Sequence, residues 1–178
     1  MKYISIKILL QCLAFIVIVG EVHSQSDNDY ASNTVFAEVG GAGGLWSLNY
    51  DRSIWQISES FKLHGRVGVG MMSEFNGSGF PDVFIPLSTH VIWGKIAHRI
   101  EAGGGVTFMN WTYRDHLSTS GFDRKSQFLG HLTVGYRYQK MDGGIMFRAT
   151  YTPFIDNNSN VPFEHWAGIS VGYTFKNK

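Results

Sequence analysis

From Thr34 onward, apolar residues alternate with polar or small ones in run after run, and turn-rich breaks separate the runs. Strict period-2 alternation is the mark of strands with two unlike faces. It predicts eight strands, near Thr34 to Gly40, Leu45 to Arg52, Phe61 to Met72, Val83 to Lys95, Arg99 to Trp111, Gln127 to Tyr138, Gly144 to Phe154 and Trp166 to Phe175. The last run, WAGISVGYTF, puts Ala167, Ile169, Val171, Tyr173 and Phe175 on one face and Gly168, Ser170, Gly172 and Thr174 on the other. The first break is ambiguous. EVGGAGGLW reads either as a tight hairpin or as one long strand kinked at its glycines, and the second choice leaves seven strands.

The breaks differ in length. KIAHR and QKMDGG are short, SIWQISES is intermediate, and SEFNGSGFPD, TYRDHLSTSGFDRKS and IDNNSNVPFEH are long and polar. With both termini on one rim, the short turns gather on that rim and the long loops on the opposite one. Short turns on one side, long loops on the other and an even strand number are the layout of an outer-membrane barrel.

Across the strands, one face is a continuous apolar band, represented by Val67, Val69, Leu87, Val106, Leu132, Val134, Phe147 and Val171. The other mixes charge with glycine: Glu38, Asp51, His64, Arg66, His90, Glu101, His131, Arg137 and Arg148 lie among Gly68, Gly103, Gly105, Gly135 and Gly172. A soluble lipocalin-like barrel also alternates, with its apolar side inward. Its solvent face, however, would be dense in Lys and Glu. A sparse, glycine-rich face of mixed sign suits a crowded lumen of small radius instead, with small residues leaving room for long charged ones, so the apolar face is assigned to lipid. That face carries Tyr50, Phe61, Trp93, Tyr136, Tyr138, Tyr173 and Phe175 toward the short-turn rim, and Phe108, Phe128 and Tyr151 toward the long-loop rim, an arrangement expected of two interfacial aromatic girdles. The expected fold is an all-β, eight-stranded antiparallel up-and-down transmembrane β-barrel.

The glycine-aromatic strands GGLWSLNYDR, RVGVGMM and HLTVGYRYQ and the terminal VGYTF resemble the small eight-stranded outer-membrane protein β-barrel family of Gram-negative bacteria over nearly all of residues 34–175. The resemblance implies outer-membrane lipid as surroundings and recognition by the barrel-assembly machinery through the C-terminal strand ending at Phe175. KNK after Phe175 departs from the many members that end on the aromatic.

Composition narrows the function. Residues 1–24 read as a cleaved secretory signal, with Lys2 and Lys7 ahead of a mostly apolar run from Ile8 to Gly20 and small residues at the Val22-His23-Ser24 boundary. A polar leader, 25–33, precedes the barrel at 34–175, and a short tail, 176–178, follows it. Removing Lys2, Lys7 and Glu21 from the 15 basic and 14 acidic residues balances the signs, which excludes a nucleic-acid footprint. The same cleavage removes Cys12, the single cysteine, so neither a disulfide nor a thiolate metal site is expected. The scattered histidines lack close ligand spacing; no metal and no cofactor are expected. Arg66, Arg137 and Arg148 are expected to pair with Glu38, Asp51 and Glu101, because an unpaired buried charge is costly. The one chemical-looking stretch is RDHLSTSG, where His116 and Ser118 resemble the H-x-S element of outer-membrane lipid A deacylases; no Glu lies in the following strand to orient the histidine, and Asp123 is the nearest candidate there. The reading that follows is a non-enzymatic outer-membrane barrel that contributes to envelope structure or binds an external partner through its loops. The loop residues Phe75, Phe80, Phe122 and Phe163 do not name that partner. A lipid-modifying enzyme and a secreted lipocalin-like carrier are the alternatives.

Overall fold

The structure, a computed structural model, describes residues 31–58, 60–72, 82–114, 122–155 and 163–176. The expected signal segment 1–24, most of the polar leader, and His116 and Ser118 lie outside the described residues. The chain forms β1 (Asn33–Gly40), β2 (Trp46–Ser58), β3 (Phe61–Met72), β4 (Asp82–Trp93), β5 (His98–Arg114), β6 (Phe122–Gln139), β7 (Gly144–Tyr151), β8 (Phe154–Ile155), β9 (Phe163–Glu164) and β10 (Ala167–Phe175). From β1 to β7 each strand pairs antiparallel with the next. β7 also pairs with β10, and β10 returns to β1 in an unbroken register from Asn33↔Phe175 to Gly40↔Gly168. The sheet is closed.

Ten strand segments make eight staves. β8 continues the line of β7 beyond Thr152 and Pro153, since β6 bonds to β7 from Val134 to Gln139 and to β8 at Gly130 and His131. β9 leads into β10 in the same way, across His165 and Trp166. Proline has no N–H to give a ladder, so Pro153 interrupts the stave there. Pro86 acts similarly within β4: the β3–β4 ladder is broken between Val67↔Leu87 and Gly70↔Phe84. The result is an all-β, closed, eight-stranded antiparallel up-and-down barrel.

The glycine-rich first break is a tight connection, which decides for eight staves over seven. Gly40, Gly41 and Gly44 take φ of 74°, 75° and 86°, a region side chains disfavour. They wrap the 3-10 turn Gly41–Gly43 inward rather than outward, and Ala42 is fully buried. Its carbonyl accepts a hydrogen bond from Thr107 Oγ1 at 3.0 Å. The turn thus closes over the lumen at the long-loop end.

Two boundaries differ from the sequence pattern. SIWQISES is strand rather than break: β2 runs to Ser58, with register shifts at Ser53/Trp55 and Gln56/Ser58. Each shift inserts an extra residue and destroys the period-2 signature while the backbone ladder continues. Likewise β5 and β6 pair out to Arg114↔Phe122, far into the stretch that reads as a polar loop. Arg124, Lys125 and Ser126 are exposed, so polar residues there cost nothing and alternation is not required.

The inward turn makes a packing prediction. A Cβ on Gly70 would stand 1.9 Å from the carbonyl oxygen of Gly43, whereas one on outward Gly130 would meet nothing nearer than 3.8 Å. Gly70→Ala should therefore displace the turn and destabilise the barrel by about 1–3 kcal/mol, as overpacking does, and Gly130→Ala should be near neutral. Denaturant unfolding of the two variants in detergent checks this, and equal midpoints would contradict it.

Candidate functional site

Parity decides which side chains enter the lumen. Along β1 the burial alternates so that Val35, Ala37 and Val39 face out while Thr34, Phe36, Glu38 and Gly40 face in, and the pattern repeats on every stave. Glu38, Asp51, His64, Arg66, His90, Glu101, His131, Arg137 and Arg148 all project inward, each no more than 2% exposed. An eight-stranded lumen is just wide enough for side chains to fill, so these groups meet across it.

They form one chain of alternating sign. Arg66 Nη2 donates to Glu38 Oε2. The other oxygen of Glu38 accepts from Arg148 Nη1 at 2.7 Å. Arg148 Nε donates to Glu101 Oε1 at 2.5 Å, and Arg137 Nε to Glu101 Oε2 at 2.9 Å. Arg137 Nη2 then reaches Asp51 Oδ2 at 2.9 Å. Asp51 also accepts from His64 Nδ1 at 2.5 Å and His90 Nε2 at 2.8 Å. Three guanidiniums and three carboxylates therefore alternate, every carboxylate bridging at least two donors. The carboxylates accept only, so the histidine N–H groups must be the donors in these bonds.

All eight staves contribute. Glu38 comes from β1, Asp51 from β2, Arg66 and His64 from β3, His90 from β4, Glu101 from β5, Arg137 from β6 and Arg148 from β7. Ser170 of β10 donates to Glu38 Oε1 at 3.2 Å. Neutral partners complete the arrangement: Asn49 Oδ1 accepts from Arg66 Nε and Nη2 at 3.1 and 2.8 Å, and Gln139 Oε1 accepts from Arg137 Nη1 at 3.2 Å. His131 lies apart from the ionic chain. Thr107 spends its one hydroxyl hydrogen on Ala42, so His131 Nδ1–H donates to Thr107 Oγ1 at 3.1 Å and joins the wall to the inward turn.

Sequence reasoning missed two kinds of lumen residue. Asn49 shares parity with Ser47 and Asp51, which would have placed it inside. Phe36, Ile92 and Met146 are apolar side chains on the polar face, each no more than 1% exposed. Phe36 has a definite role: Arg66 Cζ and Arg148 Cζ stand 5.1 and 5.5 Å from its ring centroid, cation–π range for both guanidiniums that hold Glu38. Gly172 makes room for it, since a Cβ there would fall 2.4 Å from Phe36 Cβ.

On the outer surface Tyr50, Phe61, Trp93, Phe128, Tyr136, Tyr151, Tyr173 and Phe175 are exposed, while Phe108 and Tyr138 are half-buried. On the β6–β7 wall they do not form two separate rings: Tyr151 lies opposite Val134, only two residues from Tyr136. Among the described residues no group of three His, Cys, Asp or Glu side chains is placed to hold a metal ion. Asp123, the candidate to orient His116, is exposed and accepts from Tyr113 Oη at 3.3 Å.

Neither a protein-family model nor a curated protein sequence matches the chain. Among solved structures it is similar to the N-terminal β-barrel domain of Pseudomonas aeruginosa OprF, with a TM-score of 0.56 at 14% identity, over 81% of this chain and 96% of that domain. At that identity the likeness carries the fold. Both chains are β-barrels.

The ionic chain predicts a specific cost. Glu101→Gln keeps the shape but removes the charge that Arg137 and Arg148 share, leaving two buried guanidiniums under-compensated. Stability should fall by about 3–5 kcal/mol, the range for breaking a buried pair, read as a lowered denaturant midpoint of the refolded barrel. An unchanged midpoint would mean that water enters and solvates the lumen.

Proposed function

We propose that this protein is a small, non-enzymatic integral outer-membrane β-barrel with a side-chain-filled lumen, which contributes to envelope structure or binds an external partner through its long loops. The observation that carries this reading is the inversion of polarity. Arginine, glutamate and aspartate are enclosed, while Val39, Trp55, Leu87, Phe128, Val134, Ile169 and Tyr173 stand outside, each between 55% and 73% exposed. Water would make such a surface an aggregation hazard, since soluble monomers rarely expose contiguous apolar patches beyond a few hundred Å². Lipid makes it the stable choice. In lipid every backbone polar group must also be satisfied within the protein, and a closed barrel is one of the two architectures that do so.

One feature favours this over the lipocalin-like alternative. A lipocalin-like carrier encloses an apolar cavity, whereas this lumen is filled by bridged ions and sealed by Ala42. His116 and Ser118, on which the deacylase-like reading turns, lie outside the described residues. The outward aromatics near the short-turn rim, Phe61, Trp93, Tyr173 and Phe175, suit the headgroup level of one leaflet. The strand ending at Phe175 suits recognition by the assembly machinery after export to the outer membrane of a Gram-negative cell.

The test contrasts two exposed positions on one strand. On a soluble barrel, Val134→Arg and Asp123→Arg are both harmless surface changes. On a membrane barrel, an arginine at the midplane costs about 2–4 kcal/mol and one beyond the apolar band costs little. Refolding into phospholipid vesicles, followed by heat-modifiable gel mobility, should give a reduced folded fraction for Val134→Arg alone. Equal fractions, or recovery of the native protein as a soluble periplasmic species, would overturn the assignment.

A further inference from the structure

The two rims of the barrel differ in charge. Among the described residues, the short-turn rim carries Arg52, Lys62, Lys95, Arg99, Lys140 and Lys176 against the single carboxylate Asp142. The sequence adds Glu59 between β2 and β3, Asp27 and Asp29 shortly before β1, and Lys178 after β10, which leaves seven cations against four side-chain carboxylates. At the other rim Arg114, Arg124 and Lys125 are matched by Asp82, Asp123 and Glu164, and the connecting segments 73–81, 115–121 and 156–162 contain Glu74, Asp115 and Asp156 but no Lys or Arg. One end is therefore basic and the other neutral to acidic. The ionic chain in the lumen is internally balanced and does not offset this difference.

The basic rim is also unusually apolar. Both register shifts of β2 fall here, and they add outward residues: Ile54, Trp55 and Ile57 are 58%, 66% and 56% exposed, although a regular strand continuing from Tyr50 would have turned Trp55 and Ile57 inward. Trp55 sits opposite Leu63, and Phe61 packs on Trp93 with ring centroids 6.5 Å apart. At the tip of the β4–β5 turn, Ile96 has φ of 64° and is 76% exposed. A β-branched residue in the left-handed region is strained, and strain that persists marks a position the surroundings hold for a purpose. Here the backbone holds a large apolar side chain outward, directly after the exposed ammonium of Lys95. Lys140 is exposed in the β6–β7 turn on the same rim.

We propose that the short-turn rim is a collar that binds the phosphates of anionic phospholipids in the leaflet it meets, with Lys95 and Lys140 as its exposed phosphate contacts, Ile96 beside Lys95 at the turn tip, and Trp55 and Trp93 anchored beneath them at the acyl boundary. The inference rests on the membrane reading above and adds the lipid class. Lysines on flexible stems above an aromatic and aliphatic layer are the arrangement that headgroup phosphates over acyl chains require, since the stems lie along apolar surface while the ammoniums reach the phosphate plane. Zwitterionic lipid offers the same phosphates with a neutralising cation attached. A net-basic rim therefore discriminates between the two.

The test uses the full barrel refolded into phosphatidylcholine bilayers containing a trace of spin-labelled phosphatidylglycerol or spin-labelled phosphatidylcholine, with the motionally restricted fraction of each label measured. A basic side chain near an anionic surface is worth about 1 kcal/mol, roughly fivefold in association. Phosphatidylglycerol should therefore be preferred several-fold at low salt, and the preference should shrink as salt screens it. Lys95→Glu with Lys140→Glu, both exposed turn positions, should abolish the preference, and Arg124→Glu on the opposite rim should leave it intact. Equal restriction of the two labels, a preference that survives the double reversal, or one that disappears with Arg124→Glu would each overturn the proposal. Failure of the native chain to give a heat-modifiable band in pure phosphatidylcholine would instead overturn the membrane reading itself, and the collar with it.

Discussion

A closed lumen that holds ions but little space for water permits no unpaired charge, and most of the architecture follows from that constraint. Desolvating a guanidinium or carboxylate costs several kcal/mol even after relaxation, and a partner offsets this only with good geometry and its remaining hydrogen bonds made. The barrel meets the condition by linking its charges. Glu38, Glu101 and Asp51 each bridge donors from different staves, so Arg148 and Arg137 are both held by two carboxylates. Phe36 presents its ring to the two guanidiniums that hold Glu38, and Asn49 takes two of the Arg66 donors. Glycine is part of the same solution. At Gly103 a Cβ would stand 2.2 Å from the Thr89 carbonyl oxygen and 2.6 Å from His90 Cα, so the wall itself must be bare where long side chains fill the centre.

The same constraint explains how the outside is composed. Enclosing the polar residues leaves the apolar ones no interior to occupy, so the hydrophobic effect cannot stabilise this barrel in water as it does a soluble one. The closed backbone ladder and the ionic chain hold the fold together, and in the proposed membrane setting lipid would relieve the surface. Even the inward turn fits: Gly41–Gly43 puts backbone, not side chain, over the upper lumen, and Thr107 satisfies the Ala42 carbonyl that would otherwise be buried alone.

The face of each residue was legible in the sequence because parity is local: knowing that Val134 points out is enough to know that Thr133 and Gly135 point in. Strand number and the up-and-down order were legible for a related reason, since short turns force neighbours to pair. What local pattern cannot carry is anything that breaks parity or depends on stagger. The two shifts in β2 hid a strand in SIWQISES, and the extension of β5 and β6 beyond the apolar band carries no alternation to read. Which arginine meets which carboxylate is likewise a property of the whole closed sheet. Glu101 meets Arg137 from the adjoining strand, where Arg99, not Glu101, is its direct partner in register, and it meets Arg148 from a strand that does not touch its own.

That dependence on stagger gives the ionic chain a second consequence. Buried ion pairs are weak evidence for stability, because well-packed apolar residues in their place are often as good or better. They do discriminate between registers. A slip of one residue in any charge-bearing stave would carry its inward charge to the outer face and bring an apolar residue into the lumen, and a slip of two would keep the parity but move a carboxylate or guanidinium by roughly 7 Å along the strand, out of reach of both partners. An apolar filling would tolerate the second error with little change in energy. Because every stave places a donor or acceptor in one connected network, each register is checked against the others, and the single closed arrangement is set apart from its staggered competitors by charge rather than by packing.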